Sequence, residues 1–206
     1  MHAKNRFIFN LLNVKRILLI LSIFLLFTAC RRPSHFDDRA SLLSYIENPQ
    51  NGLLQEIKLA NGMVLNAYFL PAALLLGSDI KSNTSLNDKI YLVLGFSLNN
   101  KELLAQLDAQ TYGTIIQTMS FNMEQFLHIT LDTDESIESL GVFFQPTYNM
   151  SQRNNLFVVM NKAKLYKSKK ITIRLEEFGL GIGEQDFEFK TGDVKYITSV
   201  LIKNID

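Results

Sequence analysis

Apolar and polar residues alternate with a period close to two along the second half of the chain. This is the period of a β-strand that buries one of its faces. The strands predicted in this way span residues 127–131, 142–144, 156–160, 171–175 and 187–189. Residues 90–96 are apolar on both faces, which predicts a strand covered on both sides. We therefore expect a strand-rich fold.

The clearest turn signal is the dipeptide Asn61-Gly62, which separates an apolar segment ending at Ala60 from another beginning at Met63. Asn-Gly favours the positive φ angles of a two-residue type I′ hairpin turn. In that register Ala60 pairs with Met63, and Ile57 shares a face with Val64. The pattern predicts a β-hairpin at this point.

Helical spacing of apolar residues is found mainly between residues 99 and 121. Asn99, followed three positions later by Glu102, resembles a capping box at a helix start. Apolar residues then recur at positions 103, 104, 107, 112, 115, 116 and 119. Shorter predictions are a helical turn or edge segment at 41–47, a helical turn at 72–76 and a hairpin loop at 149–155. The predicted fold class is α+β, mainly antiparallel β and sandwich-like, with a helical insertion around residues 99–121.

The first 29 residues have the features of an export signal. They contain four basic residues and no acidic one, and the apolar run at 17–27 is interrupted only by Ser22. A run of about 11 to 14 residues is shorter than the roughly 20 that a helix needs to span a bilayer. We therefore expect residues 1–29 to be a cleaved signal peptide rather than a permanent transmembrane anchor.

The end of this segment, Leu26-Phe27-Thr28-Ala29-Cys30, resembles the lipobox of bacterial lipoproteins. The resemblance implies cleavage between Ala29 and Cys30, a diacylglycerol thioether on Cys30 and an acyl chain such as palmitate on its amine. Each buried methylene contributes about 0.8 kcal/mol of membrane affinity, so several chains anchor the protein firmly in the lipid bilayer. The alternative is that Cys30 ends an ordinary signal peptide.

The residues after Cys30 bear on the destination of the protein. In lipoproteins of the enterobacterial type, a residue other than Asp at the position held here by Arg31 accompanies export to the outer membrane. The resemblance thus implies a lipid anchor in the outer membrane, facing the periplasm. We expect residues 30–40 to form a tether and residues 41–206 to form one globular domain.

Charge and cysteine content exclude two classes of function. Removal of the signal peptide leaves 17 of the 21 basic residues against 20 acidic ones, a formal charge of −3. A weakly acidic domain without a basic stripe does not have the electrostatic surface that nucleic acid requires. Cys30 is the only cysteine, so an internal disulfide and a thiolate metal site are both excluded.

The mature chain keeps two histidines, His35 in the expected tether and His128. The alternation in residues 126–131 places His128 on the face opposite Leu127 and Ile129. A catalytic histidine needs a nucleophile or a carboxylate within reach, and nothing close in sequence supplies one. Two histidines without a thiol also argue against a zinc site. We therefore predict neither catalysis nor metal binding at His128.

Four acidic residues gather between two predicted strands, namely Asp132, Asp134, Glu135 and Glu138. Oxygen-rich clusters bind calcium, but a calcium loop starting at Asp132 needs glycine at its sixth position and glutamate at its twelfth. The chain has Ile137 and Phe143 there. A solvated turn is the expected structure.

The segment Gly179-Leu180-Gly181-Ile182-Gly183 looks like a fragment of a phosphate loop. A dinucleotide loop must precede a helix, whereas here a strand begins near Asp186, so glycines for a bulge or tight connection are the better interpretation.

The last candidates are carboxylates that a glycosidase needs in pairs: Glu176, Glu177, Glu184, Asp186 and Glu188. The chain has no Trp to form a sugar platform.

These patterns favour a lipid-anchored subunit that binds or assembles with an envelope protein partner by contact, without a cofactor or a visible catalytic apparatus. The alternatives are an anchored module for a small ligand or glycan and a hydrolase whose carboxylates come from distant segments. Carboxylates converging in a deep pocket favour the hydrolase, and an exposed apolar patch favours assembly. An aromatic-lined cleft without paired carboxylates favours ligand binding.

Overall fold

A computed structural model describes residues 32–76 and 88–204 of the chain. Within these ranges the protein has an α+β fold built mainly from antiparallel strands, which confirms the predicted fold class. No helix in the described ranges is both long and apolar enough to cross a bilayer. The predicted signal peptide, Ala29 and Cys30 lie outside the described residues.

The strands lie largely where the alternating pattern predicts them. In chain order they are β1 (His35–Asp38), β2 (Gln55–Lys58), β3 (Met63–Leu70), β4 (Lys89–Leu98), β5 (Lys101–Glu102), β6 (Leu127–Leu131), β7 (Ser136–Ile137), β8 (Gly141–Gln145), β9 (Asn154–Asn161), β10 (Lys170–Leu175), β11 (Gln185–Lys190) and β12 (Leu201–Asn204).

The α-helices connect and cover these strands. They are α1 (Arg39–Glu47), α2 (Ala72–Leu76), α3 (Ala109–Gln117), α4 (Lys162–Leu165) and α5 (Thr191–Ser199). Shorter 3-10 helices occur at Pro49–Asn51, Leu104–Gln106 and Met123–Phe126, and a π-helical turn occurs at Thr118–Asn122.

In the described ranges the strands form three sheets. The large sheet has the order β2-β3-β4-β9-β8, with β5 paired to β4, and the small sheet has the order β11-β10-β6-β7. All of these pairs are antiparallel. Strands β1 and β12 form a separate parallel pair.

The large and small sheets share one hydrophobic core, as expected for a sandwich-like arrangement. Phe69 of β3 meets Phe189 of β11 edge to face, with ring centroids 4.9 Å apart. Phe96 of β4 packs in the same way against Phe178, at 5.8 Å. We call the face of the large sheet that carries Phe69 and Phe96 its inner face. The opposite face, which carries Tyr68, is its outer face.

The Asn61-Gly62 hairpin forms, but its predicted register is wrong by one residue. The Leu59 amide donates to the Met63 carbonyl (2.9 Å), so the loop has three residues rather than two. Of these three, Gly62 has a positive φ of 83°. This is the three-residue hairpin loop with glycine in the left-handed position. Because of the shift, Ile57 lies opposite Leu65 on the inner face.

The predicted helix start at Asn99 is wrong. Asn99 and Asn100 have φ angles of 53° and 59° and join β4 to β5 as a tight hairpin. Asparagine tolerates this left-handed region, so a turn forms where a capping box was expected. Helix α3 begins instead after Asp108, whose carboxylate accepts hydrogen bonds from the amides of Gln110 and Thr111, both at 3.0 Å. The helical segment thus runs from residue 104 to residue 126, with a break at 107–108, rather than over the predicted 99–121.

Part of the expected tether belongs to the fold. His35 begins β1, and Asp38 then caps helix α1 by accepting a hydrogen bond from the amide of Ser41 (2.7 Å). Ser41 closes the capping box, since its hydroxyl interacts with the backbone of Asp38. Residues 35–40 are therefore strand and helix rather than tether.

Candidate functional site

Strand β8 forms one edge of the large sheet. It pairs with β9 on one side, and within the described residues its backbone makes no hydrogen bond on the other side. The helical turns at Thr118–Asn122 and Met123–Phe126 lie close to β8 without bonding to its backbone. Residues 139–152, which include β8, contain no charged side chain. We call this segment the β8 surface.

The other edges of the large and small sheets are protected against pairing with a further strand. Strand β2 exposes Glu56 and Lys58, and β11 alternates Asp186, Glu188 and Lys190 with buried phenylalanines. Strand β7 is only two residues long and follows an acidic turn. Charges and very short strands are the usual means by which proteins prevent edge-to-edge association. Strand β8 has neither feature.

Exposed apolar side chains concentrate on the β8 surface. Leu140 is 57% exposed, Phe143 44%, Tyr148 78% and Met150 83%. Of the seven exposed large apolar side chains in the described ranges, these four lie in the β8 surface, and Tyr112 and Phe121 lie in the helical segment beside it. A concentration of this kind marks a contact site more often than single exposed residues do.

A cleft of about 460 Å³ lies beside β8 on the outer face of the large sheet. Its lining includes Tyr91, Leu140, Phe143 and Phe157. The Phe143 and Phe157 rings stack with centroids 5.0 Å apart and planes 6° from parallel. Among the described residues, no carboxylate lines this cleft, and Lys89 is its only charged lining residue. It is an aromatic-lined cleft of the kind that binds apolar side chains or ligands.

A smaller cleft of about 190 Å³ lies on the other side of β8. Phe144, which points to the inner side of the sheet, lines it together with Tyr112, Ile116 and Tyr148. Phe143 and Phe144 are adjacent in sequence and point to opposite faces, because side chains alternate along a strand. Strand β8 thus runs between two clefts with aromatic walls.

Glu102 holds the loop that follows β8. This glutamate is 3% exposed, and its carboxylate accepts hydrogen bonds from Thr147 Oγ1 (2.7 Å), the Ser151 amide (2.9 Å) and Asn154 Nδ2 (3.1 Å). Burial acts to raise the pKa of Glu102, but these donors outweigh it and the net pKa is lowered. The ionised side chain therefore fixes the loop against β5.

A polar row crosses the outer face beside the aromatic cleft. Residues directly opposite each other on successive strands are Glu56, Asn66, Gly95, Asn155 and Gln145. Gly95 leaves room for the side chain of Arg153, whose Cδ would lie 2.9 Å from a Cβ built on Gly95. A polar cleft of about 310 Å³ opens over this part of the sheet.

An ion pair and a tyrosine lie over this polar row. Arg153 donates from Nη2 to Glu47 Oε1 at 3.0 Å. Burial, and to a smaller extent the Glu47 carboxylate that accepts its hydrogen bond, raise the pKa of Tyr68 to about 12 against the opposing effect of Arg153. Tyr68 therefore stays protonated near neutral pH and acts as a donor that helps to hold α1 on the sheet.

His128 lies where the alternation predicts, on the exposed face of β6. No residue close in sequence supplies a carboxylate, but the fold brings one from a distant segment, because Glu176 Oε1 lies 2.8 Å from His128 Nε2. Antiparallel pairing of β6 with β10 places His128 opposite Arg174 and thus close to the end of β10. Ser139 lines the same open cleft, but its hydroxyl donates to Glu124 (3.1 Å). The matched nucleophile and base of a hydrolytic site are not assembled at this position.

The acidic residues between β6 and β7 form a turn, as predicted. The Asp134 amide donates to the Leu131 carbonyl (3.1 Å), and Asp134 has a positive φ of 58°. Both carboxylate oxygens of Asp132 accept from the Lys169 amide, at 3.1 and 3.2 Å. Glu135 lies between this turn and β7, and Glu138 follows β7. In the residues that the structure describes, no group of three or more His, Cys, Asp or Glu side chains is placed to hold a metal ion.

The glycine-rich loop does bind an anion, and the anion is the carboxylate of Glu177. The amides of Gly179, Gly181 and Gly183 donate to this carboxylate at 2.7, 2.9 and 2.8 Å. All three glycines have positive φ angles, of 108°, 68° and 63°. Burial acts to raise the pKa of Glu177, but the backbone donors outweigh it and the net pKa is lowered. The predicted tight connection is correct, and its internal anion was missed.

The other candidate carboxylates are paired on the exposed face of the small sheet. Arg174 binds Asp186 through two hydrogen bonds of 2.9 Å and contacts Glu184 at 3.2 Å. Glu188 pairs with Lys170 across the same strands. Asp186 and Glu184 thus share Arg174, Glu188 pairs with Lys170, and Glu176 lies against His128. These side chains form a row of solvated ion pairs, as is common on an exposed sheet face.

Comparison with known proteins adds no family to this description. A scan against protein-family models finds no match for the chain, and a search of the curated proteins finds none either.

Proposed function

We propose that the protein is a membrane-anchored envelope lipoprotein that acts by contact, as a binding or assembly subunit of a larger envelope complex. The anchor is the acylated Cys30, and the proposed location is the outer membrane, facing the periplasm. The observation that carries the contact role is the β8 surface, which joins an unprotected sheet edge to exposed apolar side chains.

The distribution of charges on the molecule supports a contact role for the β8 surface. Charges on the small sheet are paired and solvated, which keeps that face soluble. The β8 surface has no charges of its own and loses little hydration energy when another protein covers it. Interfaces of this type are depleted of charge at their centre and enriched in aromatic residues.

The first test compares two substitutions of an exposed apolar residue by lysine. Phe143→Lys places a charge at the centre of the β8 surface, and Leu43→Lys places one on α1, where Leu43 is 37% exposed. In cells lacking the gene, the Leu43→Lys protein should reverse the deletion phenotype and the Phe143→Lys protein should not. Loss of a central aromatic contact typically costs about 2 kcal/mol of binding or more.

Folding and anchoring must be measured in the same cells. Both variants should fractionate with membranes and show similar melting temperatures. Because Phe143 also stacks on Phe157, Leu140→Lys serves as a second variant that leaves this pair intact. Full function of both Phe143→Lys and Leu140→Lys would contradict the contact role. Loss of function in His128→Gln, with normal stability, would point to chemistry at His128 instead.

Binding of a small apolar ligand is the second candidate function, favoured by the aromatic lining of the larger cleft. Tyr91, Phe143 and Phe157 line this cleft without a carboxylate among them. Native mass spectrometry of the protein extracted from the envelope tests it. A retained small molecule that Phe143→Lys loses and Leu43→Lys keeps would favour this role over assembly.

A further inference from the structure

We infer that β8 binds its partner by strand addition: an extended, uncharged segment of another protein pairs with β8 and becomes an additional strand of the large sheet. This inference rests on the proposed contact role and specifies its geometry. The first reason is the backbone of β8, which is bonded to β9 on one side and has no backbone partner on the other among the described residues. Only another extended backbone presents donors and acceptors at the matching period.

The second reason is the contrast between this edge and the others. Strands β2 and β11 carry alternating charges and β7 is two residues long, so each of these edges resists addition of a strand. The five residues of β8 carry no charge and no proline, and Pro146 follows only after the last residue of the strand. Among the four edges of the large and small sheets, β8 alone is neither charged nor very short, which indicates that this edge is used.

The third reason is the pair of clefts on either side of β8. Successive side chains of an added strand point to opposite faces of the sheet. One set would enter the cleft of about 460 Å³ beside Phe143, and the alternate set would enter the cleft of about 190 Å³ beside Phe144. Strand addition of this kind takes affinity from the main chain and specificity from pockets for alternate side chains.

Charge complementarity defines the chemistry of the partner segment. Residues 139–152 offer no charge to pair with a charged side chain, and the buried carboxylate of Glu102 already has three donors. Lys89, the charged residue in the described lining of the larger cleft, lies on β4, two strands away from β8. A charged residue placed against this surface would lose hydration without gaining a partner. The segment is therefore uncharged where it contacts β8, with apolar or aromatic side chains at alternate positions.

The experiment identifies the segment and then measures its geometry. The photoreactive residue p-benzoylphenylalanine replaces Phe143 in the intact lipoprotein in living cells, and the same replacement of Glu188 on β11 is the control. Mass spectrometry of the cross-linked product gives the partner segment. This segment is then synthesised as a peptide and added to the full-length purified protein, and amide hydrogen exchange is measured across residues 141–145.

Strand addition predicts a cross-link from position 143 and none from position 188. It also predicts that peptide binding slows exchange of alternate amides in β8 by about tenfold or more, and that Phe143→Lys weakens the binding by a similar factor. A cross-link followed by binding without this alternating protection overturns strand addition and leaves the contact role intact. No cross-link from position 143 in a functional, correctly anchored protein overturns both.

Discussion

Glu177 illustrates at the scale of single residues how a loop that resembles a phosphate site is completed by its own chain. Backbone amides that converge on one point form an anion-binding nest, and a carboxylate fits it as well as a phosphate oxygen does. Here the donors belong to Gly179, Gly181 and Gly183. Glycine is needed at these positions because positive φ angles turn their amides toward the carboxylate.

Replacing Glu177 by Gln should therefore destabilise the protein. Hydrogen bonds to a charged group contribute roughly 1.5–3 kcal/mol to stability. The Gln side chain carries no charge, and its NH₂ group would face the backbone N–H donors of the loop. Because Glu177 is exposed and solvent screens its charge, we expect less than this range, a loss of about 1 kcal/mol in the free energy of unfolding, measured by urea denaturation. Glu188→Gln is the matched control, because an exposed ion pair such as the one with Lys170 contributes only about 0–1 kcal/mol.

The effect of Glu177→Gln should also depend on pH. The pKa of Glu177 is lower in the folded protein than in the unfolded chain, where it is about 4.3. The ionised carboxylate thus stabilises the fold above that value, and its contribution is lost as the pH falls through the folded pKa. The difference in stability between the natural protein and the variant should shrink as the pH is lowered below about 5. A difference that stays constant down to pH 3 would rule out the ionised nest.

At the scale of elements, two glycines should respond to alanine in opposite directions. Gly62 has a φ of 83° in the β2–β3 hairpin, and a side chain resists this region by about 1–2 kcal/mol. Gly192 lies in α5 with ordinary helical φ and open space around its Cβ position. Gly62→Ala should destabilise the protein by about 1 kcal/mol, and Gly192→Ala should stabilise it by about 0.4–1 kcal/mol. Thermal unfolding of the two variants checks both signs.

The sequence predicts the existence of most elements better than their connections. The strands β4, β6, β9 and β10 follow from periodicity alone, because burial of one or both faces determines the spacing of apolar residues. Turn geometry does not follow in the same way. The dipeptide Asn61-Gly62 is compatible with loops of two or three residues, and Asn99 is compatible with a helix cap or a left-handed turn. Packing decides between these options.

The candidate site was predicted less well, because it depends on the order of strands in space. The alternation around Phe143 predicts a strand but gives no sign that this strand lies at an edge. The contact between His128 and Glu176 arises from the pairing of β6 with β10, which no local pattern specifies. The uncharged composition of residues 139–152 was the one available signal. It becomes informative only beside the charged edges of the other strands.

For the molecule as a whole, the proposed anchor makes a prediction of its own. Cys30→Ala removes the acceptor of the lipid, so we expect an unprocessed precursor without acyl chains. Mass spectrometry of the purified protein and fractionation of cells measure this directly. Cys30→Ser is a conservative second variant, which should fail in the same way because the thioether needs sulfur. A mature N-terminus elsewhere, with unmodified Cys30, would show that the signal peptide is an ordinary one.

The parallel pair formed by β1 and β12 gives the molecule a mechanical property. These are the first and last strands of the described chain, and they lie side by side from His35 opposite Leu201 to Asp38 opposite Asn204. A force that enters before β1 and leaves after β12 pulls the two strands past each other and loads their evenly spaced hydrogen bonds together. Resistance to force is governed by the rate of unfolding rather than by equilibrium stability. If force acts on the domain through the proposed lipid anchor and the far end of the chain, the β1-β12 pair would therefore act as a shear clamp.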